Sequence, residues 1–125
     1  MGDLKLPAAV CAVAVGGGLG ALSRYGLGEF FPHIWTTLVI NVVGSFVLGV
    51  LAALLVHNKV GYLFLGTGFC GGFTTFSSFA VHAVTESPWR SILYVLGTLI
   101  PAILAAALGK GLGERWIRAR DGASA

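Results

Sequence analysis

GFCGGFTTFSSF, residues 68–79, lies inside a long uncharged run, Val60–Thr85. Three glycines, two threonines and two serines stand among four phenylalanines. That is poor helix sequence, since each interior glycine costs about 1 kcal/mol relative to alanine. Non-helical backbone at membrane depth survives only where protein or a water-filled cavity covers it. Two readings fit. Gly68 and Gly72, four apart, form a small-residue packing face. Alternatively the helix is discontinuous near 71–74, freeing carbonyls for a cation and exposing half-helix ends that carry partial charge. Two adjacent glycines followed by Thr74-Thr75 exceed what packing needs, so a break near 71–74 is expected at the membrane midplane.

The rest of the chain supports membrane depth. Of 125 residues, 56% are hydrophobic and 10% charged, with mean hydropathy +0.87; soluble domains carry about a quarter charged residues. Four uncharged stretches, each near or above the roughly 20 residues that cross a bilayer core, predict an all-α integral membrane protein. The expected spans are about 6–27, 34–57, 60–84 and 89–113, with a basic tail at 114–125 and no soluble domain. The first run reads as a transmembrane helix, not a cleaved leader, because three more spans follow. Lys5, Lys59, Lys110, Arg115, Arg118 and Arg120 fall on one side, Arg24 and Arg90 on the other. The positive-inside rule then puts both termini in the cytoplasm, with Trp35 and Trp89 outside and Trp116 inside as interfacial anchors. Four lipid-bound spans leave no surface for nucleic acid.

The interiors of the spans exclude several classes. They hold no Asp, Glu, Lys or Arg, and a proton-coupled exporter needs a membrane-embedded carboxylate to exchange protons for cargo, so a small multidrug-type transporter is disfavoured. Cys11 and Cys70 sit within spans as buried small hydrophobes. His33, His57 and His82 lie near span ends, which suits neither a metal nor a haem site. GGGLGALSRY (16–25) lacks the strand and the acidic residue of a dinucleotide site; Gly16 and Gly20 instead suit close helix packing. Arg24 closes that span, either snorkelling to water or gathering anions at a pore mouth. Asn41 is either an interhelical hydrogen-bonding group or a donor aimed into a polar path. Tyr94 and Thr98 lie one turn apart on one face, and Pro101 kinks the last helix or frees a carbonyl. Phe76 and Phe79, three apart, should point the same way; they are either packing groups or rings whose positive edges face an anion.

These residues together resemble the Fluc (CrcB) fluoride-channel family. GGGLGALSRYGL (16–27), TLVINVVGSFVLG (37–49), GTGFCGGFTTFSSF (66–79) and LYVLGT (93–98) carry the resemblance, in order, over essentially the whole chain. It implies a non-enzymatic channel in a prokaryotic plasma membrane that passively exports cytoplasmic fluoride and so relieves its toxicity. The implied assembly is an antiparallel, dual-topology-type dimer of four-helix subunits. A structural sodium ion at the dimer centre is implied at the backbone carbonyls of Gly71 and Thr74. The implied fluoride pore comprises Asn41, Phe76, Phe79, Tyr94, Thr98, Ser77 and Ser78, with Arg24 at the vestibule. Two positions depart from the pattern: His82 stands where the family often has glutamate, and Ala102 replaces a third hydroxyl of the polar track. They motivate an alternative, a non-conducting partner subunit. Six basic residues against two is also unbalanced for a chain inserting both ways, which favours an oppositely oriented, separate partner over a homodimer.

Overall fold

The computed structural model describes residues 4–32 and 34–124; His33, one of the span-end histidines, lies outside them. All regular structure among the described residues is helical. Helix α1 (Leu6–Phe30) has proline in its first turn, where a missing N–H costs nothing, and it ends just before Pro32, which disfavours helical backbone ahead of it. Helix α2 is Ile34–Leu54. A third helical stretch, α3, covers 59–73 and opens on Asn58, whose side chain accepts the Gly61 N–H at 2.8 Å. Its middle, Tyr62–Cys70, is wound wide as a π-helix, and the Gly71 N–H reaches back five residues to the Gly66 carbonyl. Helix α4 (Ser77–Thr85) and helix α5 (Pro88–Ser124) complete the chain.

Helices α1, α2 and α5 are each long and apolar enough to cross a membrane, and the chain is a multi-pass membrane protein. Large apolar side chains such as Leu22, Ile103 and Leu104 point outward, as lipid-facing groups do. Two expectations change here. The last helix does not stop near residue 113: it runs unbroken through Pro101 and on to Ser124. At 1.5 Å per residue its 37 residues span about 55 Å, against about 30 Å of hydrocarbon. The basic segment is therefore helical, with Lys110 paired to Glu114 and the Arg120 guanidinium 5.1 Å over the Trp116 ring.

The second change concerns the break. Gly71–Phe73 is still helical, and the chain turns extended only at Thr74 (φ −75°, ψ 157°), so the interruption is 74–76. The glycines that suggested a break at 71–74 do something else. A Cβ at Gly72 would collide with the Gly17 carbonyl oxygen of α1. Along the same seam, Cβ atoms at Gly16 and Gly20 would collide with the carbonyl oxygens of Phe64 and Phe69. A matching seam joins α2 to α5, where Gly49 meets the Ala106 backbone and Gly109 meets that of Phe46. Small residues at four-residue spacing thus let backbones touch, the packing mode that replaces hydrophobic driving force inside lipid. Overpacking such a contact costs roughly 1–3 kcal/mol. Gly16→Ala should therefore lower the thermal unfolding midpoint of the detergent-purified protein. Gly18→Ala, where a Cβ meets nothing within 4 Å, should leave it unchanged or raise it.

Candidate functional site

The interruption is held by one side chain from another helix. Asn41 of α2 accepts the Thr75 N–H on Oδ1 at 2.8 Å and donates from Nδ2 to the Thr75 carbonyl at 3.0 Å. The amide thereby imitates a strand neighbour and satisfies both backbone groups of the residue in the break. Ser45 returns its hydroxyl to the Asn41 carbonyl at 2.7 Å. Gly44, between them, leaves room for the Thr74 methyl, which a Cβ there would strike. The helix resumes when the Ala80 N–H bonds the Phe76 carbonyl at 2.8 Å.

Rerouting N–H groups at the break takes helical donors from the carbonyls of Gly71 and Thr74. The Gly71 carbonyl would ordinarily take the Thr75 N–H, which Asn41 now holds. The Thr74 carbonyl would take the Ser78 N–H, which bonds Thr75 Oγ1 at 3.2 Å instead. Hard, neutral oxygens of this kind suit an alkali or alkaline-earth cation. Gly71 is exposed, and a Cβ there would meet nothing within 4 Å, while Thr74 is half-buried. Among the described residues no cluster of three His, Cys, Asp or Glu offers another metal site.

On the other side of the break lies a column of rings and hydroxyls. Phe79 is buried and stacks on Tyr94 of α5, centroids 5.4 Å apart. Phe76 is 5.8 Å from Phe79, yet it is 78% exposed. The two phenylalanines thus differ in burial, because Phe76 stands at the N-cap of the resumed helix. Tyr94 and Thr98 do share a face, each only 3% exposed. Neither the Tyr94 hydroxyl nor Thr98 Oγ1 has a hydrogen-bond partner among the described residues. Ser23, Ser45, Thr74 and Thr85 all return their hydroxyls to the carbonyl four residues back; Thr98 does not. An unpaired buried hydroxyl costs on the order of 1–3 kcal/mol, so its retention twice on one face marks groups reserved for something other than the fold.

Two concavities meet at Thr75. A groove of about 250 Å³ is lined by Asn41, Thr74, Thr75, Phe76, Phe79 and Thr98, and ends at Ala102. A wider cavity of about 450 Å³ is lined by Arg24, Glu29, Thr37, Thr75, Ser78 and His82. Arg24 lies six residues before the end of α1 and donates from Nε to the Gly72 carbonyl at 3.2 Å. It thus ties α1 to the last turn before the break while facing the cavity. Ser78 lines that cavity; Ser77 is exposed, its hydroxyl 3.2 Å from that of Thr75. Thr75, at the junction, is the residue sequence reasoning missed. Its signal was the second threonine of the pair, but its partner lies 34 residues away.

A helical membrane chain with unpaired hydroxyls and ring faces gathered beside a broken helix has the makings of a pore or transport site. A sequence model of the CrcB-like protein family (Camphor Resistance, CrcB) matches residues 11–110. The chain is 53% identical over 117 residues to the fluoride-specific ion channel FluC 1 of Rhodococcus jostii, covering 94% of each. It is 39% identical to FluC 2 of Nocardia farcinica over 94% of this chain and 91% of that one. FluC 1 of Halalkalibacterium halodurans is 40% identical over 78% and 91%. The chain belongs to the CrcB family.

A typical interhelical hydrogen bond in a membrane protein contributes about 0.6 kcal/mol, whereas truncating Asn41 strands two part-buried backbone groups at once. Asn41→Ala should therefore destabilise the purified protein by roughly 1–3 kcal/mol in a denaturation titration. Ser45→Ala, which removes only a bond within one helix, should shift it far less.

Proposed function

We infer that this chain is a subunit of a fluoride channel that lets fluoride leave the cell passively. The observation that carries the reading is the pair of buried, unpartnered hydroxyls, Tyr94 and Thr98, beside Phe79. Fluoride is small and holds its water tightly, so a path for it must supply hydrogen-bond donors at short range as the water leaves. The Tyr94 and Thr98 hydroxyls and the second N–H of the Asn41 amide are such donors, and Phe79 and Phe76 offer positive ring edges. These groups are uncharged, so an anion is solvated without being trapped, as conduction requires. Arg24 draws anions to the wider cavity, and Ser77 and Ser78 add hydroxyls at the break. Selectivity against chloride follows from narrowness and donor density. The names of the relatives, each a fluoride-specific ion channel, point the same way.

The assembly is an antiparallel dimer of four-crossing subunits in a prokaryotic plasma membrane, with both termini cytoplasmic. Helices α3 and α4 together make the third crossing, which the break divides. The exposure of Phe76 and the open space around Gly71 support a second subunit covering this surface. The six-against-two basic imbalance favours a distinct, oppositely oriented chain over an identical one. A sodium ion fits the donor-poor carbonyls of Gly71 and Thr74. Two oxygens per subunit are too few alone, and a second subunit doubles them. When bound, the ion supplies a fixed positive charge and a staple at the centre.

The test is fluoride release from liposomes carrying the reconstituted dimer, followed with a fluoride electrode under a potassium-valinomycin shunt. Wild type should empty the vesicles rapidly; a folded dimer that releases no fluoride contradicts the reading. Thr98→Val keeps shape but removes one unpaired hydroxyl. It should slow release roughly three- to tenfold while the unfolding midpoint holds or rises. Unchanged release would take Thr98 out of the path.

A further inference from the structure

We propose that His82 is an anion-recruiting residue of the pore mouth, adding a second positive charge to the Arg24 cavity whenever its imidazole is protonated. The proposal rests on the fluoride-channel reading above. His82 is half-buried and lines the 450 Å³ cavity together with Arg24, Thr75 and Ser78. It follows Phe79 by three positions on α4, and its ring stands nearly perpendicular to Tyr94, centroids 6.0 Å apart. Tyr94 in turn stacks on Phe79. His82 therefore stands where the wide cavity meets the column of rings and unpaired hydroxyls.

The charge balance of that cavity makes the imidazole decisive. Helix α1 contributes Arg24, Tyr25 and Glu29; α2 contributes Thr36, Thr37 and Ile40, all uncharged; α4 contributes Ser78 and His82. From α5, Tyr94 meets the histidine ring, while Arg90 is paired with Glu86 at 3.5 Å. Among the described residues Glu29 thus offsets Arg24, and the lining is neutral overall with a neutral imidazole and +1 with an imidazolium. Histidine is the side chain whose charge ordinarily changes between pH 5 and 8. One extra charge lining a concave mouth should raise local anion concentration, and hence current, by roughly two- to tenfold.

Fluoride current through planar bilayers containing the reconstituted dimer tests this, because neutral hydrogen fluoride crossing the lipid carries no current. With equal fluoride on both sides, wild-type current should rise roughly two- to tenfold between about pH 8 and pH 5.5. His82→Gln should hold the alkaline value at both pH values, and His82→Arg the acidic value at both. A His82→Gln channel that keeps the wild-type rise overturns the proposal, as does a wild-type current flat with pH and matched by both variants. No current from any of the three at either pH overturns the channel reading itself, and this proposal with it.

Discussion

The two hydrogen bonds between the Asn41 amide and the backbone of Thr75 are what the rest of the site depends on. A helix cannot simply stop inside an apolar environment, because every unpaired N–H and C=O there costs free energy. Asn41 removes that penalty for one residue, and the chain can then run extended at Thr74 and resume as α4. Three consequences follow from this single substitution of partners. Carbonyls at Gly71 and Thr74 lose their helical donors. Phe76 is left outside the helix and turns outward, while Phe79 is carried inward onto Tyr94. The narrow groove and the wide cavity come to meet at Thr75.

The glycine seams hold this arrangement in register. Backbone contact of α1 with α3, through Gly16, Gly20 and Gly72, fixes where the third stretch arrives at the break. Contact of α2 with α5, through Gly49 and Gly109, sets the distance from Asn41 to the Tyr94–Thr98 face. Arg24 adds a polar clasp, joining α1 to the Gly72 carbonyl just ahead of the interruption. Close packing of small residues therefore does the structural holding, which leaves the hydroxyls of Tyr94 and Thr98 unspent. Ser23, Ser45, Thr74 and Thr85, by contrast, fold their hydroxyls back on the carbonyl four residues behind.

Much of this was legible in the sequence. The membrane class followed from uncharged runs of spanning length, and the close-packed seam from Gly16, Gly20, Gly68 and Gly72 at four-residue spacing. The shared face of Tyr94 and Thr98 followed from helical periodicity. The break was expected three residues early because glycine signals both weak helix and close approach, and at Gly72 the second meaning prevails. Phe76 and Phe79 were expected to point alike; their rings lie 5.8 Å apart and line one groove, but Phe76, at the helix N-cap, stays exposed where Phe79 is buried. Thr75 carried only the signal of a second threonine, since its role depends on an amide 34 residues distant. The length of α5 was hidden by composition: a polar segment after an apolar one looks like a tail, whether or not the helix continues.

An anion path lined by neutral donors and ring edges, passing beside the break, should admit fluoride while excluding chloride. The reversal potential of a planar bilayer with fluoride on one side and an equal concentration of chloride on the other measures that discrimination. A large potential of the sign set by fluoride permeation is the predicted result. A reversal potential near zero, with both ions carrying current, would contradict it.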